Sequence, residues 1–134
     1  MGSRRQAREL VLQALYLSAA CDLPLETAFK TVASEPLTEN IQQFCEHLIE
    51  GIIEKKKEID EILSRYTENW DLKRMATVDR NILRLSTFEI LIDIDTPVSV
   101  IIDEAIEIAK NYSTEDSGKF VNGILDKVQK ERKI

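Results

Sequence analysis

Few residues in this chain have types and spacings that could do covalent chemistry. The single histidine, His47, lies two positions after Cys45, and on a helix that spacing puts base and thiol on neighbouring rather than stacked faces. Cys21 is the only other cysteine, so the four ligands of a tetrahedral zinc site are missing and both thiols read as reduced structural groups. Ser117-Gly118-Lys119 has the form in which a phosphate loop ends, without the earlier glycine that lets backbone amides wrap a phosphate. The acid pairs Asp103-Glu104 and Glu115-Asp116 are adjacent residues that diverge by roughly 100° on a helix, and read as solvated surface. No catalytic residue, metal site or cofactor is expected, and the chain reads as a binding protein and not an enzyme.

Binding chemistry is easier to find. The first eight residues carry Arg4, Arg5 and Arg8 and no acid. Projected at roughly 100° per residue, the helix they begin turns Ala7, Leu10, Val11, Ala14, Leu15 and Leu17 to one face. Arg4, Arg8, Leu12, Arg5, Tyr16, Glu9 and Gln13 fall on the other, which places Leu12 and Tyr16 among arginines. Two readings stand: Leu12 and Tyr16 pack beneath another helix while the arginines are solvated, or the strip binds a ligand. Guanidinium groups pair with phosphates and stack on bases, and a tyrosine adds a flat surface, a combination suited to single-stranded RNA. A second patch lies at the start of the last helix, where Lys119, Asn122 and Gly123 oppose the apolar face and Phe120 sits at its edge. Free N–H groups there favour anions, Asn122 suits a base edge and Lys119 a phosphate; a polar face with an incidental glycine is the alternative.

The elements that position these residues follow from composition and period. With 134 residues, 43% hydrophobic and 31% charged, and only four glycines and three prolines, the chain suits one packed domain, residues 1–134, of long elements. Ser3 and Gln6 have capping-box form ahead of a first helix to about Ala20; Asp22 is a plausible cap for a short second helix that Pro36 stops. Thr38 can cap a long helix with Ile41, Phe44, Cys45, Leu48, Ile49, Ile52, Ile53, Ile59, Ile62, Leu63 and Tyr66 at helical spacing, with a bend expected at Gly51 or a reorganisation around the lysines 55–57. Asn69-Trp70-Asp71 breaks the pattern, with Asp71 capping a single turn and Trp70 plugging a seam between two halves. Thr77, Pro97 and Thr114 open three more amphipathic helices, the middle one ending near Tyr112. No useful stretch alternates with period two. The expected fold is all-α: a compact bundle of six to seven helices in two three-helix subassemblies joined near Trp70. No run approaches a membrane span, and a cytoplasmic protein is expected. The formal charge of −6 argues against a generic polyanion binder, so any RNA site must be local.

The same segments carry a resemblance. Residues 4–9 (Arg-Arg-Gln-Ala-Arg-Glu) with Gln13-Ala14-Leu15-Tyr16, then Val78-Asp79-Arg80-Asn81-Ile82-Leu83-Arg84, Asp103-Glu104-Ala105-Ile106-Glu107-Ile108-Ala109-Lys110, and Lys119-Phe120-Val121-Asn122-Gly123-Ile124-Leu125-Asp126 are similar in order and spacing to motifs of the NusB transcription antitermination factors. The resemblance implies an all-helical fold of two small bundles and no catalysis. It also implies binding of the boxA RNA element together with NusE, a small-subunit ribosomal protein, within the transcription elongation complex during rRNA transcription. Carried onto matching positions, it makes Arg4, Arg5, Arg8, Tyr16, Lys119, Phe120 and Asn122 RNA-binding residues. Tyr16 and Asp79 would face the ribosomal protein, with Leu12 beside Tyr16 available for protein contact and Asp116 near both ligands. Gln6 stands where family members often have another arginine, which implies weaker RNA binding. Two other readings are a helical interaction module using Leu12 and Tyr16 for protein contact alone, and an RNA-targeting domain of an rRNA methyltransferase, against which stands the absence of a cofactor-type glycine loop.

Overall fold

The computed structural model describes residues 2–67 and 72–132, the side chain of Lys73 excepted. Six α-helices follow in order: α1 (Gly2–Cys21), α2 (Leu25–Val32), α3 (Glu39–Tyr66), α4 (Thr77–Ile92), α5 (Val98–Tyr112) and α6 (Glu115–Val128). Single 3-10 turns occupy Leu72–Arg74 and Gln129–Glu131, and the described residues contain no strand. The expected break at Asn69-Trp70-Asp71, with its cap and its tryptophan plug, lies outside the described residues. The chain divides into two compact units, Met1–Glu54 and Lys55–Ile134. Their boundary falls inside α3 and not near Trp70, and α3 stays helical through Gly51 and the lysines 55–57, so the chain does not leave the helix there.

In the first unit α1 packs on α2. Ala7, Val11 and Ala14 recur at helical spacing and are fully buried, their short side chains letting neighbouring backbones approach. Close approach is visible where the Cys45 thiol of α3 meets the Ala7 carbonyl at 3.8 Å. Ser3 sits inside the first turn of α1 and so is not its cap. Asp22 does not cap α2 either: it takes the left-handed conformation, φ 53°, that ends α1, and the Leu23 N–H turns back to the Ser18 carbonyl at 3.1 Å. Pro24 holds the cap position of α2 and makes no side-chain bond there. Thr38 plays its expected part, its hydroxyl accepting from the Ile41 N–H at 3.4 Å.

The second unit is built around α4, which is buried from Asn81 to Ile90 apart from Arg84 and packs against both α5 and α6. Ala76, and not Thr77, occupies the cap position of α4. Pro97 precedes α5, which ends at Tyr112 as its period predicts. Arg84 and Asp60 form a two-pronged ion pair, 2.8 and 3.0 Å, that ties α4 to the carboxy-terminal part of α3. Arg132 closes the far end of α4. Its Nε donates to the Ile90 carbonyl at 2.7 Å, Nη1 to Thr96 at 2.9 Å, and Nη2 to Asp93 at 3.1 Å and Glu89 at 3.5 Å. These acceptors include carbonyls that the last turn of a helix cannot satisfy internally. Beside it the Tyr66 hydroxyl donates to Glu131 at 2.5 Å, and that bond raises the phenol above its ordinary pKa.

Candidate nucleic-acid interface

The α1 strip is narrower than its helical projection. Tyr16 is 53% exposed, Arg4 is exposed and Arg5 half-buried, so an open cationic and phenolic surface exists along α1. Leu12 is only 2% exposed and Arg8 only 3%. The placement of Leu12 on an open partner surface and of Arg8 as an open arginine is therefore corrected. The projection assumed a single buried face. In the first unit α1 meets α2 and is also approached by α3, whose Phe44 ring lies 4.4 Å from the Arg4 guanidinium carbon and 5.5 Å from that of Arg8. Positions 4 and 8 are one turn apart, so both cations reach the same ring.

Phe44 also stacks on His47 of α3, the ring centroids 6.1 Å apart and the planes 25° apart. Reading the sequence missed this group, because Phe44 was counted as core. A signal was present: the buried residues Ile41, Cys45, Leu48, Ile49 and Ile52 form a stripe that leaves Phe44 at its margin, with His47 three residues on along the same side.

In the second unit α6 begins at a well-formed cap. Thr114 Oγ1 accepts from the Ser117 N–H at 3.1 Å. Ser117 is buried and its hydroxyl donates to Asp79 Oδ2 of α4 at 3.3 Å, while the Ser113 hydroxyl lies 2.8 Å away. Ser117 and Gly118 are thus buried helix residues, and Ser117-Gly118-Lys119 is no phosphate loop. Lys119, Asn122, Gly123 and Asp116 are exposed and Phe120 is half-buried, so the second predicted patch exists as a surface of α6. A methyl group added at Gly123 would meet nothing within 4 Å. Asp79 is half-buried. Its Oδ1 is buried without a hydrogen-bond partner, and burial pushes the carboxyl above the ordinary carboxylate range, the Ser117 bond pulling the other way.

Cys45 is fully buried, and burial, with Glu46 nearby, pushes its thiol up to about 11. The thiolate needed for nucleophilic work is suppressed at neutral pH. No helix among the described residues is long and apolar enough to cross a membrane.

Fold and surface together define an all-helical scaffold that carries cationic and aromatic side chains on the outer faces of its first and last helices. The sequence profile of the NusB family matches residues 5–130, and the chain belongs to that family. It is 44% identical over 136 aligned positions, 99% of this chain and 97% of the relative, to the transcription antitermination protein NusB of Elusimicrobium minutum. A solved structure of Thermotoga maritima NusB superposes with a TM-score of 0.91 at 46% identity, covering 96% of this chain and 92% of that one. A crystal structure of the antitermination factors NusB and NusE in complex with double-stranded RNA is similar at a TM-score of 0.87 and 26% identity, covering 97% and 98%.

Proposed function

We propose that this chain is a transcription antitermination factor that binds boxA-type RNA together with the ribosomal protein NusE during rRNA transcription. It acts in the cytoplasm as one RNA- and protein-binding domain, without catalysis, as part of the elongation complex. The observation that carries the reading is the strip of exposed Arg4 and Tyr16 with half-buried Arg5 on α1, in a chain similar over nearly its whole length to a protein solved with NusE and RNA. In this reading Arg4 and Arg5 hold phosphates and Tyr16 serves the RNA or the partner's edge. Lys119, Phe120 and Asn122 add RNA contacts from α6, and Asp116 lies beside both ligands. Arg8 contributes through Phe44, and Asp79 through the start of α6 that it braces.

The test is a titration of boxA-type RNA, single-stranded and as a duplex, with and without purified NusE. Arg5→Glu is expected to weaken binding at least about tenfold, since it removes one phosphate contact and adds a repulsion. Binding that ignores Arg5→Glu and Arg4→Glu in every arm overturns the reading.

A further inference from the structure

Arg4 and Arg8 converge on Phe44, and Phe44 stacks on His47. We propose that Phe44 and His47 extend the RNA-binding strip from α1 onto α3, Phe44 as a positioning residue for the Arg4 guanidinium and His47 as a flat surface on which one unpaired base stacks. The inference rests on the RNA-binding reading above and names a part of the site which that reading does not contain.

Three observations carry it. First, the Arg4 guanidinium sits 4.4 Å from the ring centroid while Arg4 remains exposed, so one long side chain is held in place without being sealed from a ligand. Fixing such a cation in advance lowers the ordering cost of binding. Second, Phe44 is only half-buried although the adjacent stripe of α3 is sealed, and the exposed imidazole of His47 continues the stack away from it. Aromatic rings and guanidinium planes at a surface are the groups on which splayed RNA bases lie. Third, charge assigns the two helices different tasks. The outer side of α3 near this group carries Glu39, Glu46 and Glu50, all exposed, with Gln43 bonded to Glu39 at 3.1 Å and Gln42 to Glu46 at 2.9 Å. Those acids repel a phosphate track, so the backbone follows the arginines of α1 and only a base reaches α3. A base in that position must be unstacked, which selects single-stranded over duplex RNA.

The experiment measures affinity of the full-length chain, with NusE present, for a short single-stranded boxA-type RNA and for its duplex, across a series of salt concentrations. His47→Ala is expected to lose about tenfold on the single strand, as base–aromatic stacking does when removed. It should leave the slope of log K against log salt and the duplex affinity unchanged, and His47→Tyr should restore binding. Phe44→Leu is expected to weaken single-strand binding and Phe44→Tyr to retain it. Arg4→Ala should reduce the salt slope by about one, and cost less in the Phe44→Leu background than alone. Because His47 is exposed, its substitution tests the idea even if Phe44→Leu melts early. Wild-type affinity for His47→Ala and Phe44→Leu, with Arg5→Glu still weakening binding, overturns this extension and leaves the RNA reading intact. Failure of the wild type to bind either RNA overturns both. Loss of NusE binding by His47→Ala without RNA marks the stack as a protein contact and overturns the proposal.

Discussion

Asp79 is a carboxylate held where ionisation is disfavoured, and its consequence can be followed with pH. Its folded-state pKa lies above the ordinary value because burial outweighs the single bond from Ser117. Between the unfolded and folded values the folded state binds more protons. The contribution of Asp79 is therefore most favourable below the unfolded pKa and is lost as pH rises through the raised one. Asp79→Asn removes this dependence. Its urea midpoint relative to wild type should improve steadily from acid to neutral pH, and a difference that does not change with pH would contradict the assignment. At this scale the sequence was least legible. Arg8 and Leu12 were placed on the outside by a projection that knew one neighbour of α1, and both are buried. Ser117, the partner of Asp79, and Arg4 and Arg8, which reach Phe44, lie on other helices, 38 residues away for Ser117, and no periodicity encodes such pairs. Tyr16, Lys119 and Asn122 were placed correctly as exposed because each lies far round the helix from its buried stripe.

Helices were the most legible scale, since a period of 3.6 with few glycines and prolines leaves little choice. The starts of α3, α5 and α6 could be read from Thr38, Pro97 and Thr114, which act locally. Asp22 could not, because its left-handed turn is an alternative use of a residue type that also caps. Nor could the closure of α4 by Arg132, whose acceptors begin 36 residues earlier. Arg132→Ala should destabilise the protein by about 1–3 kcal/mol, the range for lost hydrogen bonds from a charged donor. It should also speed amide exchange in the last turn of α4. Arg132→Lys should recover only part, because an ammonium does not span the same fork of acceptors. Exchange in that turn unaffected by Arg132→Ala would show that the clip is dispensable. On α6, Gly123→Ala meets no atom and should stabilise the helix by about 0.5–1 kcal/mol. If the outer face of α6 approaches RNA as proposed, the same variant weakens RNA binding, and a thermal melt beside a binding titration separates the two effects.

For the molecule as a whole, net charge sets the conditions under which any of this operates. At −6 the chain repels RNA at long range, and exposed Arg4 and Lys119 with half-buried Arg5 offer only a few local cations to the phosphates of the proposed ligand. Without a partner, log K should fall with log salt at a slope on the order of −2 to −3 for a single strand, leaving weak binding at physiological salt; a basic partner should raise affinity and extend it to higher salt. Affinity for the isolated chain that is high and indifferent to salt would contradict this account. The two thiols provide another handle on the whole molecule. Cys21 is exposed, whereas Cys45 is enclosed with its thiol against Ala7. An alkylating reagent should consume one equivalent at once and the second only when α1 lifts away from α3, so the unmodified protein keeps its own stopwatch for the breathing of its amino-terminal half, and a ligand that clasps that half should make it run slow.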